Sequence, residues 1–99
     1  MTIATNITKA LMDLTGEPRI ELAIMDLLKD AIEHRIEKIQ KEIKGYEKKY
    51  GMKFEEFKEK FEKNEILDSY SYDVEMDYLE WEGLVSRLEK YTKMLDDLK

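Results

Sequence analysis

Residues 32–50 read IEHRIEKIQKEIKGYEKKY, and their spacing decides the fold. Ile32, Ile36, Ile39, Ile43, Tyr46 and Tyr50 follow one another at steps of 4, 3, 4, 3 and 4. Side chains three and four apart share one face of an α-helix, so this is an apolar seam built to pack against another helix. Upstream, Pro18 suits a first helical turn, where its missing N–H does no harm. Downstream, Gly51 suits the position after a C-cap. Together they predict one long helix over 18–50. Its early half, Ile20–Leu28, is apolar on more than one face (Leu22, Ile24, Met25, Leu27, Leu28). That half is expected either to sit deep or to be covered by a second subunit.

A partner for the seam lies at the other end of the chain. Val74, Tyr78, Trp81, Val85, Leu88 and Leu95 keep the same rhythm, with Thr92 as its one weak step. Leu84, Tyr91 and Leu98 widen the stripe, which predicts a C-terminal helix over 72–98. Gly83 interrupts it at a cost of about 1 kcal/mol relative to alanine. Either it lets a backbone approach closely beside Trp81 or it is incidental. Between the long helices, Phe54, Phe57 and Phe61 fall on one side of a short helix over 53–63 and form an apolar plug for one end of a hairpin. Residues 64–71 read as a loop.

Charge placement supports an antiparallel hairpin. Seven basic residues and three acids stand between Arg35 and Lys53, whereas Glu65 to Glu82 holds seven acids and no base. An antiparallel arrangement sets the acidic start of the last helix beside the basic end of the long one. Surface pairs contribute about 0–1 kcal/mol each, which biases orientation without driving folding.

The first 17 residues are the least patterned. Ile7, Ala10, Leu11 and Leu14 have helical spacing, Thr5 or Asn6 can cap them, and Gly16 can end them. The alternative is an extended arm over Thr2–Thr8, as in a ribbon-helix-helix DNA binder. Against it, Lys9 and Arg19 are the only basic residues among the first 19. The expected architecture is thus all-α: one domain of 99 residues, a long antiparallel helical hairpin with a short connecting helix and a short N-terminal helix, dimerising into a bundle. A chain this short builds a thin core, and oligomerisation would thicken it.

Composition narrows the function. Charged residues make up 40% of the chain and the net charge is -6. The average surface repels nucleic acid and favours a basic protein partner. The absence of cysteine removes disulfide and thiolate chemistry and fits a reducing compartment, which points to the cytoplasm. No apolar run reaches the length of a membrane span or signal peptide. Abundant Lys and Glu beside one Gln and two Asn is a composition seen in proteins from hot habitats.

Catalytic constellations are scarce. His34 is the only histidine; Glu-x-x-His would be a di-iron signature, but position 31 is alanine. Ser69, Ser71 and Ser86 lack the glycine-rich elbow of a nucleophile. Glu56-x-x-Glu59 followed by Asp77-x-x-Glu80 bears a partial likeness to all-α nucleotide pyrophosphohydrolases, which hold magnesium with such carboxylates, although the second motif is reversed. This metal-dependent phosphohydrolase is one alternative function, and a homo-oligomeric structural protein is another. The leading expectation is a non-enzymatic binding module without a cofactor. Its site is read in residues 68–82, DSYSYDVEMDYLEWE, where Tyr70, Tyr72, Asp73, Asp77 and Trp81 combine interface aromatics with steering acids.

Two segments carry a family resemblance: YEKKYGMKFEEF over 46–57 and YDVEMDYLEWEGL over 72–84. Across roughly residues 32–90 the chain resembles a family of small helical proteins of archaea and bacteria, many of which look like antitoxin halves of two-gene modules. The family often has Ser or Thr where Lys53 stands, which would cap the short helix. The resemblance implies neutralisation of a basic partner, such as a toxin ribonuclease encoded nearby, by masking its site.

Overall fold

The computed structural model describes residues 4–99, and all of its regular structure is helical. Four helices follow in order: α1 (Thr5–Thr15), α2 (Ile20–Tyr50), α3 (Phe54–Glu62) and α4 (Tyr72–Asp97). None of them is long and apolar enough to cross a membrane.

The helix ends follow from the residues at them. Gly51 takes a left-handed φ of 69° and its N–H closes α2 on the Glu47 carbonyl at 2.7 Å. Gly16 does the same for α1, with φ 72°. An alanine at either position would meet the steric cost of left-handed backbone. Ser71 caps α4, its Oγ accepting from the Val74 N–H at 3.3 Å. Lys53 has no side-chain acceptor, so α3 starts without a side-chain cap.

Three expectations at the N-terminal end are corrected. The first is the cap: Ala4 precedes α1, Thr5 and Asn6 lie inside its first turn, and no side chain caps it. Pro18 is not in the first turn of α2; Arg19 is extended at φ -106° and ψ 129°, and the helix begins at Ile20. The Thr15 Oγ bonds both the Leu11 carbonyl and the Glu17 N–H, which holds residues 16–19 as a connection. The extended arm is also not found where it can be judged: Thr5–Thr8 is the first turn of α1, and residues 2 and 3 lie outside the described region.

α4 runs antiparallel along α2, and α3 closes the far end against α4. Ile39 and Ile43 of α2, Phe54 and Phe57 of α3, and Trp81 and Leu84 of α4 form the buried cluster. The three-helix end thus holds the core. At the opposite end only Ala23 and Ile32 are buried, and α1 buries nothing fully. Ile36 and Leu88 of the predicted seams are half-buried. The molecule is a rod of 57 × 24 × 24 Å.

Candidate functional site

The site begins with the ring cluster that fixes the hairpin tip. Trp81 is wholly buried. It stacks on Tyr46 with centroids 5.6 Å apart and planes at 16°, and meets Phe54 edge-on at 5.4 Å and Phe57 at 5.0 Å. Such pairs contribute about 0.5–1.5 kcal/mol each beyond area burial. The indole N–H is buried and meets no acceptor among the described residues. The sequence-derived role of Trp81 as a partner contact is therefore corrected: the side chain is a core element with no surface to offer.

Polar groups ring this cluster on the side where α2 meets α4. Tyr46 donates to Glu80, and Tyr50 and Lys49 both donate to Oδ2 of Asp77. Burial raises the Asp77 carboxyl, but the hydrogen bonds from Lys49 and Tyr50 and the charge of Lys49 outweigh it and hold the group below its ordinary value. The hydrogen bond to Glu80, then burial and nearby carboxylates, push Tyr46 up to about 12. Burial and the bond to Asp77 push Tyr50 up as well. These contacts are the predicted meeting of acidic and basic helix ends. They also leave Asp77 occupied by its own chain instead of free for a partner.

The remaining predicted residues stand apart from this network. Tyr70 is 79% exposed and Tyr72 74% exposed, and Asp73 is exposed in the first turn of α4. The loop that presents them is held by its own backbone. The Glu65 N–H bonds Lys60, Ser69 bonds Ile66, and Ser71 bonds Asp68, at 2.8 to 3.1 Å. Asn64 and Asp68 supply left-handed turns at φ 56° and 57°, a conformation these residue types tolerate. Ile66 packs on the core and Ser69 is buried. The intervening Leu67 is 86% exposed. Sequence reasoning missed Leu67; its signal was a large aliphatic residue in an otherwise polar loop. An open groove of about 640 Å³ runs beside it, with Glu65, Asp68, Asp73, Lys49 and Lys60 among its walls. The tip thus presents three exposed apolar side chains on a braced loop among carboxylates.

A second groove, of about 650 Å³, lies between α2 and α4 with Gly45 and Gly83 in its floor. A Cβ added at either glycine would meet nothing within 4 Å. Close backbone approach beside Trp81 is therefore not the reason for Gly83.

Residues considered for catalysis do not assemble. His34 is exposed on α2. Ser71 is a helix cap and Ser69 belongs to the loop turn. Glu56 and Glu59 are exposed on α3 and pair with Lys60 and Lys63 at 3.4 and 2.8 Å. Asp77 and Glu80 are engaged by α2. Among the described residues no group of three or more His, Cys, Asp or Glu is gathered to hold a metal ion.

No curated protein and no solved structure matches the chain. The model of one protein family, described as the uncharacterized protein MJ0235 family, matches residues 5–99. With nearly the whole chain matched, from the first turn of α1 to the last residue, this protein belongs to the MJ0235 family.

Proposed function

We propose that the chain is a non-enzymatic binding module that captures a basic protein on its hairpin tip. The observation that carries this reading is the exposure of Leu67, Tyr70 and Tyr72 within six residues on a braced loop. Aromatic side chains supply contact area at low entropic cost and dominate binding energy when a partner covers them. Glu65, Asp68 and Asp73 around them would steer a cationic surface toward the rings. The net charge of -6 acts in the same direction at longer range. The setting proposed is the cytoplasm, which suits a chain without cysteine.

Within this reading, the antitoxin-like wording of residues 46–57 and 72–84 makes a basic toxin encoded nearby the first partner to try. The adjacent gene product, purified, is titrated against the chain by calorimetry. Tyr70→Ala with Tyr72→Ala is expected to cost at least about 2 kcal/mol of binding. Asp73→Lys is expected to slow association and flatten its salt dependence. Full affinity in both variants would remove the tip from consideration.

A further inference from the structure

We propose that the groove between α2 and α4 binds a nucleoside monophosphate, its phosphate held by Arg35, Lys38 and Arg87 and its flat ring laid over Gly45 and Gly83. The site is separate from the tip and does not depend on partner capture there. Charge is the starting point. The chain has 23 acids against 17 Lys and Arg, so a base without a nearby acid stands out. At helical spacing Arg35 has Ala31, Ile32, Lys38 and Ile39, and Arg87 has Gly83, Leu84, Lys90 and Tyr91. Neither arginine has an acid three or four residues away to pair with. Instead Arg35, Lys38 and Arg87 meet on one cavity of about 210 Å³, with Glu42 as the only acid in its wall. None of these four side chains is in an ion pair among the described residues. At about 100° per residue, Lys41 and Lys90 flank the cavity on its outer side, whereas Glu33, Glu37 and Glu89 fall on the far sides of their helices. Three converging cations without counter-charges are an oxyanion site. Their approach from two helices suits the several oxygens of a phosphate dianion better than the flat pair of a carboxylate.

The rest of the groove describes the body of the ligand. Glu42 and Arg87 line both this cavity and the groove of about 650 Å³, so the two are continuous. Arg87 Nε donates to the Gly83 carbonyl at 3.4 Å, which lays the guanidinium along the groove and leaves its other N–H groups for a ligand. At Gly45 and Gly83 the floor is bare backbone, with nothing within 4 Å of an added Cβ. Leu79, 57% exposed, offers an apolar edge beside that floor. A flat ring can lie on such a surface. From Lys38 to Gly45 the helix rises about 10 Å, which matches a phosphate joined to one nucleoside. Beyond the glycines, Lys49 is engaged by Asp77 and Tyr46 by Glu80. No free cation there awaits a second anion, so the body is uncharged. The net charge of -6 acts against a long polyanion in the same way.

Calorimetric titration of the full chain with adenosine monophosphate, inorganic phosphate and adenosine tests this. The nucleotide is expected to bind at least about tenfold more tightly than either of its parts. Inorganic phosphate or adenosine binding as tightly would overturn the proposal, as would no binding of the nucleotide. A single-stranded oligonucleotide that binds more tightly than the nucleotide would assign the cations to nucleic acid and overturn it too. Arg35→Gln with Arg87→Gln should weaken nucleotide binding at least about tenfold. Lys93→Gln, whose side chain lines neither part of the groove, should leave it within about twofold. Glu42→Gln should tighten binding, because it removes the one carboxylate beside the phosphate. A gain of affinity is a readout that a damaged fold does not produce. Gly83→Leu should fill the floor and bring the nucleotide down to the affinity of inorganic phosphate. Full affinity in the arginine double variant, or weaker binding in Glu42→Gln, would overturn the assignment.

Discussion

Lys49 Nζ lies 2.5 Å from Oδ2 of Asp77, joining the last turn of α2 to the second turn of α4, and the Tyr50 hydroxyl donates to the same oxygen. The arrangement makes stability depend on acid pH. The carboxyl is held below its ordinary value of 3.8, so the unfolded chain binds this proton more tightly than the folded one. The contribution is complete above about pH 4 and is lost as pH falls through the lowered folded value. Asp77→Asn should cost about 1–2 kcal/mol at neutral pH, since a charged acceptor of two hydrogen bonds is removed. The difference between wild type and variant, read from urea unfolding at neutral and acid pH, should shrink on acidification. A difference unchanged on acidification would mean that the cost of the substitution does not come from the ionised carboxylate.

At the alkaline end Tyr46 gives the complementary effect. Its hydroxyl is raised to about 12 from 10.0, led by the hydrogen bond to Glu80. A raised folded value means that its stabilisation is present below pH 10 and disappears as pH rises through about 12. Tyr46→Phe should leave neutral stability within about 1.5 kcal/mol of wild type, the net worth of one such bond. It should also reduce the alkaline decline. Thermal unfolding at a series of alkaline pH values measures both.

Trp81 is the only tryptophan and the centre of the ring cluster. Trp81→Ala should cost about 3–5 kcal/mol by leaving a cavity between α2, α3 and α4. A small domain has little more than that to lose. In the wild type, Trp81 emission should be blue-shifted and resist acrylamide quenching until the chain unfolds. Ready quenching in the folded state would contradict the burial described above.

The role of Trp81 was legible in the sequence, but two signals competed for it. Its step of three from Tyr78 puts it on the seam, whereas its acidic, aromatic neighbourhood suggests an interface. A side chain on the packed seam cannot also meet a partner, and the seam decides. The same logic reaches Asp77, which stands four residues before Trp81 and hence on the side of α4 that faces α2. The long seam and the glycine stops at Gly16 and Gly51 were readable because each is a local signal. The Pro18 connection was not, because its geometry depends on the Thr15 hydroxyl bonds. The bracing of Leu67 was hidden too, since it depends on backbone bonds between loop residues.

Gly45 and Gly83 both line the groove between α2 and α4. Both are helical, both face the groove, and neither has an atom near its missing Cβ. Alanine at either position should stabilise the chain by about 0.5–1 kcal/mol through helix propensity alone. A rise in the urea midpoint for each variant is expected. Destabilisation would show that the space is filled by something in solution.

The neighbours Ile66 and Leu67 make the sharpest test of what the tip loop is for. Ile66 packs against the core, whereas Leu67 is almost fully exposed one residue later. Alternation enforced by the turns at Asn64 and Asp68 sends the first side chain inward and leaves the second in water. Ile66→Ala should therefore cost about 1–3 kcal/mol, less than a fully buried site because the residue is half-buried. Leu67→Ala should change stability by no more than about 0.5 kcal/mol, as for any exposed position without special geometry. If Leu67 serves capture, its variant keeps the melting temperature of the wild type and loses affinity for the basic partner. A Leu67 variant that melts early would mean that the loop side chain supports the fold, and the exposed trio would then have a structural reason to exist.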